Sequence, residues 1–254
     1  MQDNKGKRVA LVTGASSGIG RATARAFVEA GYATALVDRD ADQGKAACAE
    51  LEADGADCTF VACDVADESQ VAAMVKKVIT HFGRIDAAFN NAGIEGETAE
   101  TDKATTENWD RVMNVNLRGL WFCMREELYF MLKEDEGGVI VNCASVAGLV
   151  GIPGIPAYVA SKHGVVGLTR AAALEFAERK VRINAVCPGA IETPMLQRFM
   201  SSTEGGREQM VATEPMGRIG APAEIADAVV WLCSSGASFM TGQAVAVDGG
   251  WTAR

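Results

Sequence analysis

A short apolar run, Arg8-Val9-Ala10-Leu11-Val12, leads into Thr13-Gly14-Ala15-Ser16-Ser17-Gly18-Ile19-Gly20 and then into a helical pattern from Arg21 to Ala30. A glycine-rich turn between a strand and a helix exposes backbone N–H groups at the helix N-terminus, where the dipole favours an anion such as a pyrophosphate. Gly14 permits the tight turn, Gly18 permits close approach of the anion, and Gly20 lets the helix pack onto the strand. Ser17 and Ile19 lie within the same turn. The next apolar run, Ala33–Val37, ends at Asp38, 18 residues past Gly20. That is near the offset of about 20 residues at which a carboxylate meets the ribose hydroxyls of a dinucleotide. A glycine triplet alone is a weak signal, but here it has a strand before it, a helix after it and an acid downstream.

Strands and helices alternate along the rest of the chain, which predicts a doubly wound Rossmann fold of the α/β class. Its sheet is seven-stranded and parallel, with helices on both faces. Strands are expected at 8–12, 33–37, 58–62, 87–90, 139–142, 182–186 and 243–247. Helices are expected at 18–30, 42–54, 68–82, 107–133 and 157–179, with a late helix at 223–232 preceded by Pro222 at the N1 position that proline tolerates. No linker, low-complexity tract or repeat divides residues 1–254, so one catalytic domain is expected. Asp38, Asp64, Asn91, Ser145 and Pro188 all fall just past expected strand ends. Ligands of such sheets bind beyond those carboxyl ends.

Tyr158 and Lys162 stand four positions apart in Ala157-Tyr158-Val159-Ala160-Ser161-Lys162. A helix turns about 100° per residue, so both side chains share a face, with Cβ atoms about 5–6 Å apart. An ammonium there stabilises a phenolate, the state a tyrosine needs to act as an acid/base group. Ser145, in Asn142-Cys143-Ala144-Ser145, could hold a substrate oxygen beside it. By itself the spacing more often means one surface lysine and one packed tyrosine.

Together these motifs resemble the short-chain dehydrogenase/reductase family, over nearly the whole chain. In order they are the turn at Thr13–Gly20, Asp64-Val65, Asn90-Asn91-Ala92-Gly93, Asn116 in Asn114-Val115-Asn116-Leu117, the set Ser145, Tyr158 and Lys162, and Pro188-Gly189-Ala190-Ile191-Glu192-Thr193. The resemblance implies an oxidoreductase that moves a hydride between NAD(H) and a secondary alcohol or ketone. It implies that Tyr158 is the acid/base, that Lys162 supports it and contacts the nicotinamide ribose, and that Ser145 hydrogen-bonds the substrate oxygen. It further implies that Asn116 helps hold a water relaying protons to Lys162. Asp64 and Val65 would border the adenine, Asn91, Ala92 and Gly93 would lie along the adenosine side, and Pro188, Gly189, Ile191 and Thr193 would hold the carboxamide end. Asp38 favours NAD over NADP, although Arg39 beside it could bind a 2′-phosphate. A homotetramer is also implied, paired through the helices at 107–133 and 157–179, with a second interface involving the last strand. Val112, Val115, Leu120, Phe122, Cys123, Leu128 and Met131 supply more apolar surface than one helix face requires. The C-terminal Val247-Asp248-Gly249-Gly250-Trp251-Thr252-Ala253 is similar to that of bacterial secondary-alcohol dehydrogenases.

Composition excludes several other classes. The net charge of −9 offers no basic footprint for nucleic acid and disfavours anionic membranes. No apolar run is long enough to span a bilayer. The first residues, Met1–Arg8, are polar with no signal-peptide core after them. Seven cysteines, odd in number and irregularly spaced, read as reduced buried thiols of a cytoplasmic protein. With only His81 and His163 available, no metal site is expected; His163 points away from Lys162 and reads as structural.

The segments 150–156 and 190–216 are expected to be irregular, the longer one, with its apolar series Met195, Leu196, Phe199, Met200 and Met210, a lid or a binding segment. Ile94, Val146, Ile152, Ile155, Met195, Phe199 and Met200 are expected to line a substrate pocket, together with Leu149 and Leu196. Arg198 is expected to face water, and Glu95 and Glu192 to discourage an anion or bind a hydroxyl. That pattern favours an apolar small-molecule ketone or secondary alcohol. A sugar or polyol dehydrogenase is the alternative. A carrier-protein-dependent reductase is disfavoured by the acidic segment Lys133-Glu134-Asp135-Glu136 and by Glu175 and Glu178. A cofactor-binding sensor without catalysis is disfavoured by the intact Asn116, Ser145, Tyr158, Lys162 set.

Overall fold

The computed structural model describes residues 6–134, 137–201 and 205–253. Asp135 and Glu136 of the acidic segment, and the first five residues of the polar N-terminus, lie outside the described residues. Seven parallel strands form one sheet: β1 (Val9–Thr13), β2 (Ala33–Asp38), β3 (Cys58–Ala62), β4 (Ala87–Asn90), β5 (Gly138–Cys143), β6 (Val181–Pro188) and β7 (Ala244–Val247). Their order is β3-β2-β1-β4-β5-β6-β7. The order reverses between β1 and β4, and this is where a crevice opens in sheets of this type.

The strands carry apolar residues on both faces because both faces are covered. Along β1, Val9 and Leu11 enter one core while Ala10 and Val12 enter the other. The first core is closed by α3 (Glu68–Phe82), α5 (Leu120–Met131) and α6 (Pro156–Phe176) through Met74, Val78, Phe122, Met131 and Ala172. The second is closed by α1 (Gly18–Glu29), α2 (Ala41–Ala53) and α9 (Pro222–Cys233) through Phe27, Leu51, Ile225 and Leu232. Each large side chain buried in this way contributes roughly 1.5–3 kcal/mol.

Helix starts follow local chemistry. Asp40 accepts the Gln43 N–H at 3.0 Å and caps α2, and Asp67 caps α3 through Ser69 and Gln70. Pro222 occupies N1 of α9, as expected, while Glu224 accepts the Ala221 N–H at 2.7 Å. Gly83 ends α3 with φ +87°, a conformation that suits glycine.

Three expectations are corrected. The single helix expected at 107–133 is α4 (Thr106–Met113), a π-helical segment (Asn114–Gly119) and α5, ending at Met131. The segment 190–216 is not irregular, since it folds into α7 (Pro194–Ser201) and α8 (Gly206–Thr213). The apolar surplus assigned to intersubunit contact is mostly internal: Val112, Leu120, Phe122, Cys123, Leu128 and Met131 are buried within this chain. The apolar side chains left exposed are others, among them Trp121 at 40%, Tyr129 at 59% and Leu174 at 84%. Among the described residues no helix is long and apolar enough to cross a membrane.

Candidate active site

Beyond the carboxyl ends of the strands lies a cleft of about 550 Å³. One end is built from backbone. Gly14 has φ +65°, and a Cβ there would stand 2.8 Å from Asn91 Nδ2; one on Gly18 would stand 3.1 Å from Thr193 Cγ2. The turn has no room for side chains, so its main chain faces the cleft at the N-terminus of α1. That is a surface suited to a pyrophosphate. Gly20 lies behind it and does not line the cleft. A Cβ on Gly20 would come within 2.0 Å of Gly14 O, which accounts for its packing role. Asn91 clamps the turn: its N–H donates to Thr13 Oγ1 at 2.9 Å, and its Nδ2 donates to Thr13 O at 3.0 Å. Its amide is thus committed to the turn's backbone.

Asp38 lines the same end and is held in place. Ser16 Oγ donates to its Oδ2 at 2.6 Å, and the Ser16 and Asp40 N–H groups donate to Oδ2 and Oδ1. Arg39 is exposed beside it. Asp64 and Val65 border the cleft past β3, and Ala92, Gly93, Pro188, Gly189, Ile191 and Thr193 line its floor and far side. Ser17 and Ile19 line it at the start of α1.

The opposite wall brings Ser145, Tyr158 and Lys162 together. Lys162 is only 4% exposed; its Nζ donates to Cys143 O at 2.7 Å and lies 5.5 Å from the centre of the Tyr158 ring. The last carbonyl of β5 therefore fixes the ammonium beside the phenol. Ser145 Oγ accepts the Ala147 N–H at 3.1 Å and caps a short turn at Val146–Gly148, leaving its own hydroxyl proton to donate. That turn packs against α6, since a Cβ on Gly148 would stand 2.7 Å from Lys162 O. The thiols of Cys143 and Cys187 behind this wall are pushed up by burial, Cys187 to about 12, so they stay neutral.

Asn116 is fully buried in the π-helical segment and does not line the cleft itself. Its Oδ1 accepts the Ile94 N–H at 2.8 Å, and its Nδ2 donates to Ile94 O and to Ser161 Oγ. A Cβ on Gly93 would lie 3.3 Å from Asn116 Oδ1 and 3.7 Å from Lys162 Nζ, so the two residues flank Gly93. A π-helical turn inserted in a helix often marks a functional site. Here it carries the asparagine to the loop after β4.

The rest of the cleft is apolar, with Ile94, Val146, Ile152, Ile155, Met195, Leu196 and Phe199 lining it, but Leu149 does not line it. Met200 is on the wrong side of α7, in a shallow outer groove beside Gly206 and Arg207. Glu192 also faces that groove and is tied to Arg207 and Gln197, whose hydrogen bonds lower its pKa. Arg198 does not simply face water. Its Nε donates to Glu95 Oε1 at 3.0 Å, linking α7 to the loop after β4. Met210, one of the apolar residues of the segment 190–216, also lines the cleft, and among the lining residues that sequence reasoning missed are Ser16 and Trp251. Ser16 was legible as a hydroxyl in the turn facing Asp38; Trp251 arrives from a distant chain position. His163 is exposed, and its Nδ1 bonds to Val159 O within α6.

A family profile described as enoyl-(acyl carrier protein) reductase matches residues 14–252. The chain is 42% identical over 253 residues to a 2,5-dichloro-2,5-cyclohexadiene-1,4-diol dehydrogenase of Sphingobium indicum, covering 100% of both chains. It is 41% identical to a cyclohexanol dehydrogenase of an Acinetobacter species, covering 100% of this chain and 98% of the relative. The crystal structure of a levodione reductase superimposes with a TM-score of 0.93 at 42% identity, covering 97% of this chain and 98% of the other.

Proposed function

The chain belongs to the short-chain dehydrogenase/reductase family, and we propose that it is an NAD-dependent dehydrogenase of a secondary alcohol on a small, largely apolar six-membered carbocycle. Its reaction class is hydride transfer between a nicotinamide cofactor and an alcohol/ketone pair. The observation that carries the finer reading is the asymmetry of the cleft. A backbone cradle occupies one end, and Ser145, Tyr158 and Lys162 face an apolar chamber at the other. On the chamber side Arg198 is already paired with Glu95, and the Lys162 ammonium is held by Cys143 O. Neither lining cation is left over for a phosphate or a carboxylate, which fits a neutral ring.

When bound, the nicotinamide takes up or supplies the hydride. The chain's own groups manage the proton. Tyr158 Oη accepts the hydroxyl proton of the alcohol, or donates it to the ketone in reverse. Ser145 donates its hydroxyl hydrogen to the same substrate oxygen, fixing that oxygen against Tyr158. Lys162, held by Cys143 O, places its charge beside the phenol without moving. Asn116 and Lys162 flank Gly93, and Asn116 anchors the water through which protons reach the lysine. Asp38, locked by Ser16, accepts from the ribose hydroxyls and repels a 2′-phosphate. Residues 1–254 act as one catalytic domain, in a cytoplasmic homotetramer. Exposed Trp121 and Tyr129 on α5, Leu174 on α6, and Trp231 and Phe239 near β7 support that assembly.

Steady-state kinetics with cyclohexanol, an acyclic secondary alcohol, glucose and a β-ketoacyl thioester test the reading, each with NAD(H) and NADP(H). The expected order places cyclohexanol first, with NAD. A higher kcat/KM for the sugar or the thioester than for either alcohol would overturn the substrate class and leave the reaction chemistry in place.

A further inference from the structure

Behind the cleft, between α5, β4, β5 and α6, lies a polar cluster that the mechanism does not use. Glu127 and Asn142 are fully shielded from solvent, and Asn90 and Thr169 are nearly so. Asn90 Nδ2 donates to Glu127 Oε2 at 2.9 Å and to Asn142 Oδ1 at 3.2 Å. Asn142 Nδ2 in turn donates to Thr169 Oγ1 at 2.9 Å. Both amide hydrogens of Asn90 are then in use. Two buried oxygens remain without a partner, Asn90 Oδ1 and Glu127 Oε1. An ionised carboxylate can only accept, as can an amide oxygen, so neither can satisfy the other. Reversing the Asn90 amide does not help, because its oxygen would then face Glu127 Oε2. Leaving buried polar atoms unpaired is costly, and leaving a charge among them more so.

One proton removes the conflict. We propose that Glu127 is a neutral carboxylic acid in the folded protein, donating through Oε1–H to Asn90 Oδ1, and that this acid–amide pair positions the ends of β4 and β5 that build the site. The surroundings agree. Burial raises the Glu127 pKa to about 7, opposed only by the hydrogen bond from Asn90. The neighbours on β4, β5 and α6 (Asn90, Asn142 and Thr169) carry no charge. On its own helix Cys123 is a thiol pushed well up by burial, and beyond it Cys63 is pushed up to about 12. No cation among the described residues pairs with it.

The cluster sits one residue behind two anchors of the site. Asn91, which follows Asn90, clamps the glycine turn, and Cys143, which follows Asn142, holds Lys162. Glu127 does not line the cleft; it acts through these strands as a positioning residue. Its ionisation would set a charge against Asn90 Oδ1 and push the two strand ends apart.

The test uses the full-length protein and two variants. Glu127→Gln replaces the acid by an amide that offers the same donor and acceptor without a titratable proton. Glu127→Leu removes both. Three readouts are taken from pH 5 to pH 9: thermal unfolding, the Kd for NAD, and the infrared carbonyl band of a protonated carboxyl. The folded pKa lies above the unfolded one, so the stabilisation by Glu127 is complete below the ordinary carboxylate range and is lost as pH rises through neutrality. Relative to Glu127→Gln, the wild-type unfolding constant should therefore grow by nearly tenfold per pH unit from about pH 5 to about pH 7, then level off. The NAD Kd of the wild type should rise across neutrality more steeply than that of Glu127→Gln. The protonated-carboxyl band should be present at pH 6 and absent from Glu127→Gln. Glu127→Leu should be the least stable of the three or fail to fold. Parallel pH profiles for wild type and Glu127→Gln, a Glu127→Gln protein less stable than wild type at pH 8, or no protonated-carboxyl band at pH 6 would each overturn the proposal.

Discussion

Replacing Gly20 with alanine should damage cofactor binding far more than it damages the fold. The added Cβ would lie 2.0 Å from Gly14 O and 2.7 Å from both Gly14 C and Asn91 Nδ2. None of these atoms can swing away, because Asn91 is clamped to the turn and Gly14 O is main chain. The N-terminus of α1 must retreat by about 1 Å, at an overpacking cost of roughly 1–3 kcal/mol. Alanine regains about 1 kcal/mol of helix propensity. The net loss, up to about 2 kcal/mol, corresponds to a Tm decrease of up to about 4–8 °C for a chain of this size. Cofactor binding has no such offset. The favourable field at a helix N-terminus is worth up to about 2 kcal/mol, and each hydrogen bond to a charged group about 1.5–3 kcal/mol. Loss of alignment should therefore raise the NAD Kd by about 30-fold or more. Gly217→Ala is the matched control. Gly217 has φ +68° with nothing within 4 Å of an added Cβ, so the substitution costs about 1–2 kcal/mol of backbone strain far from the turn. Fluorescence titration with NAD and thermal melts of both variants decide the matter. A Gly20→Ala protein that binds NAD within about threefold of wild type, or a Gly217→Ala protein weakened to the same degree, would refute the reasoning.

Tyr158→Phe should keep the fold and NAD affinity while lowering kcat by about 10²–10⁴-fold, with Ser145→Ala nearly as severe; retention of more than about a tenth of wild-type turnover would remove Tyr158 from its role. Asp38→Ser should shift the kcat/KM ratio toward NADP, because the repelling carboxylate goes and Arg39 stays beside the site; equal use of both cofactors by the unaltered protein would count against Asp38 as the selector. Light scattering at micromolar concentration should show four copies, and Leu174→Glu on the exposed face of α6 should reduce that number; a monomeric wild type would refute the assembly.

The local part of this protein was written in its sequence. Short continuous apolar runs and period-3.6 helices placed β3, α3 and β4 at their observed bounds, because burial on both sheet faces leaves a pattern of near neighbours. The glycine turn and the order of the Asn, Ser, Tyr and Lys motifs were equally legible, since each depends on spacing along a single element or turn. Other features depended on what the chain meets in space. Asn114–Gly119 reads as ordinary helix, and its π-helical winding exists where Asn116 hydrogen-bonds to Ile94 and Ser161 across two other elements. Met200 looks as apolar as Phe199, but the step of about 100° between consecutive residues of α7 puts them on different faces, one toward the cleft and the other toward α8. Arg198 reads as a solvated charge until folding brings Glu95 to it from 103 residues away. Glu127 is the extreme case. A carboxyl beside two other charged residues in Arg125-Glu126-Glu127 has the pattern of a surface, and only the packing of α5 onto β4 and β5 removes all of its water. Sequence periodicity reports which face of an element is buried on average; which polar atoms are shut in together is decided by the tertiary contacts, because desolvation and hydrogen bonding act through space rather than along the chain.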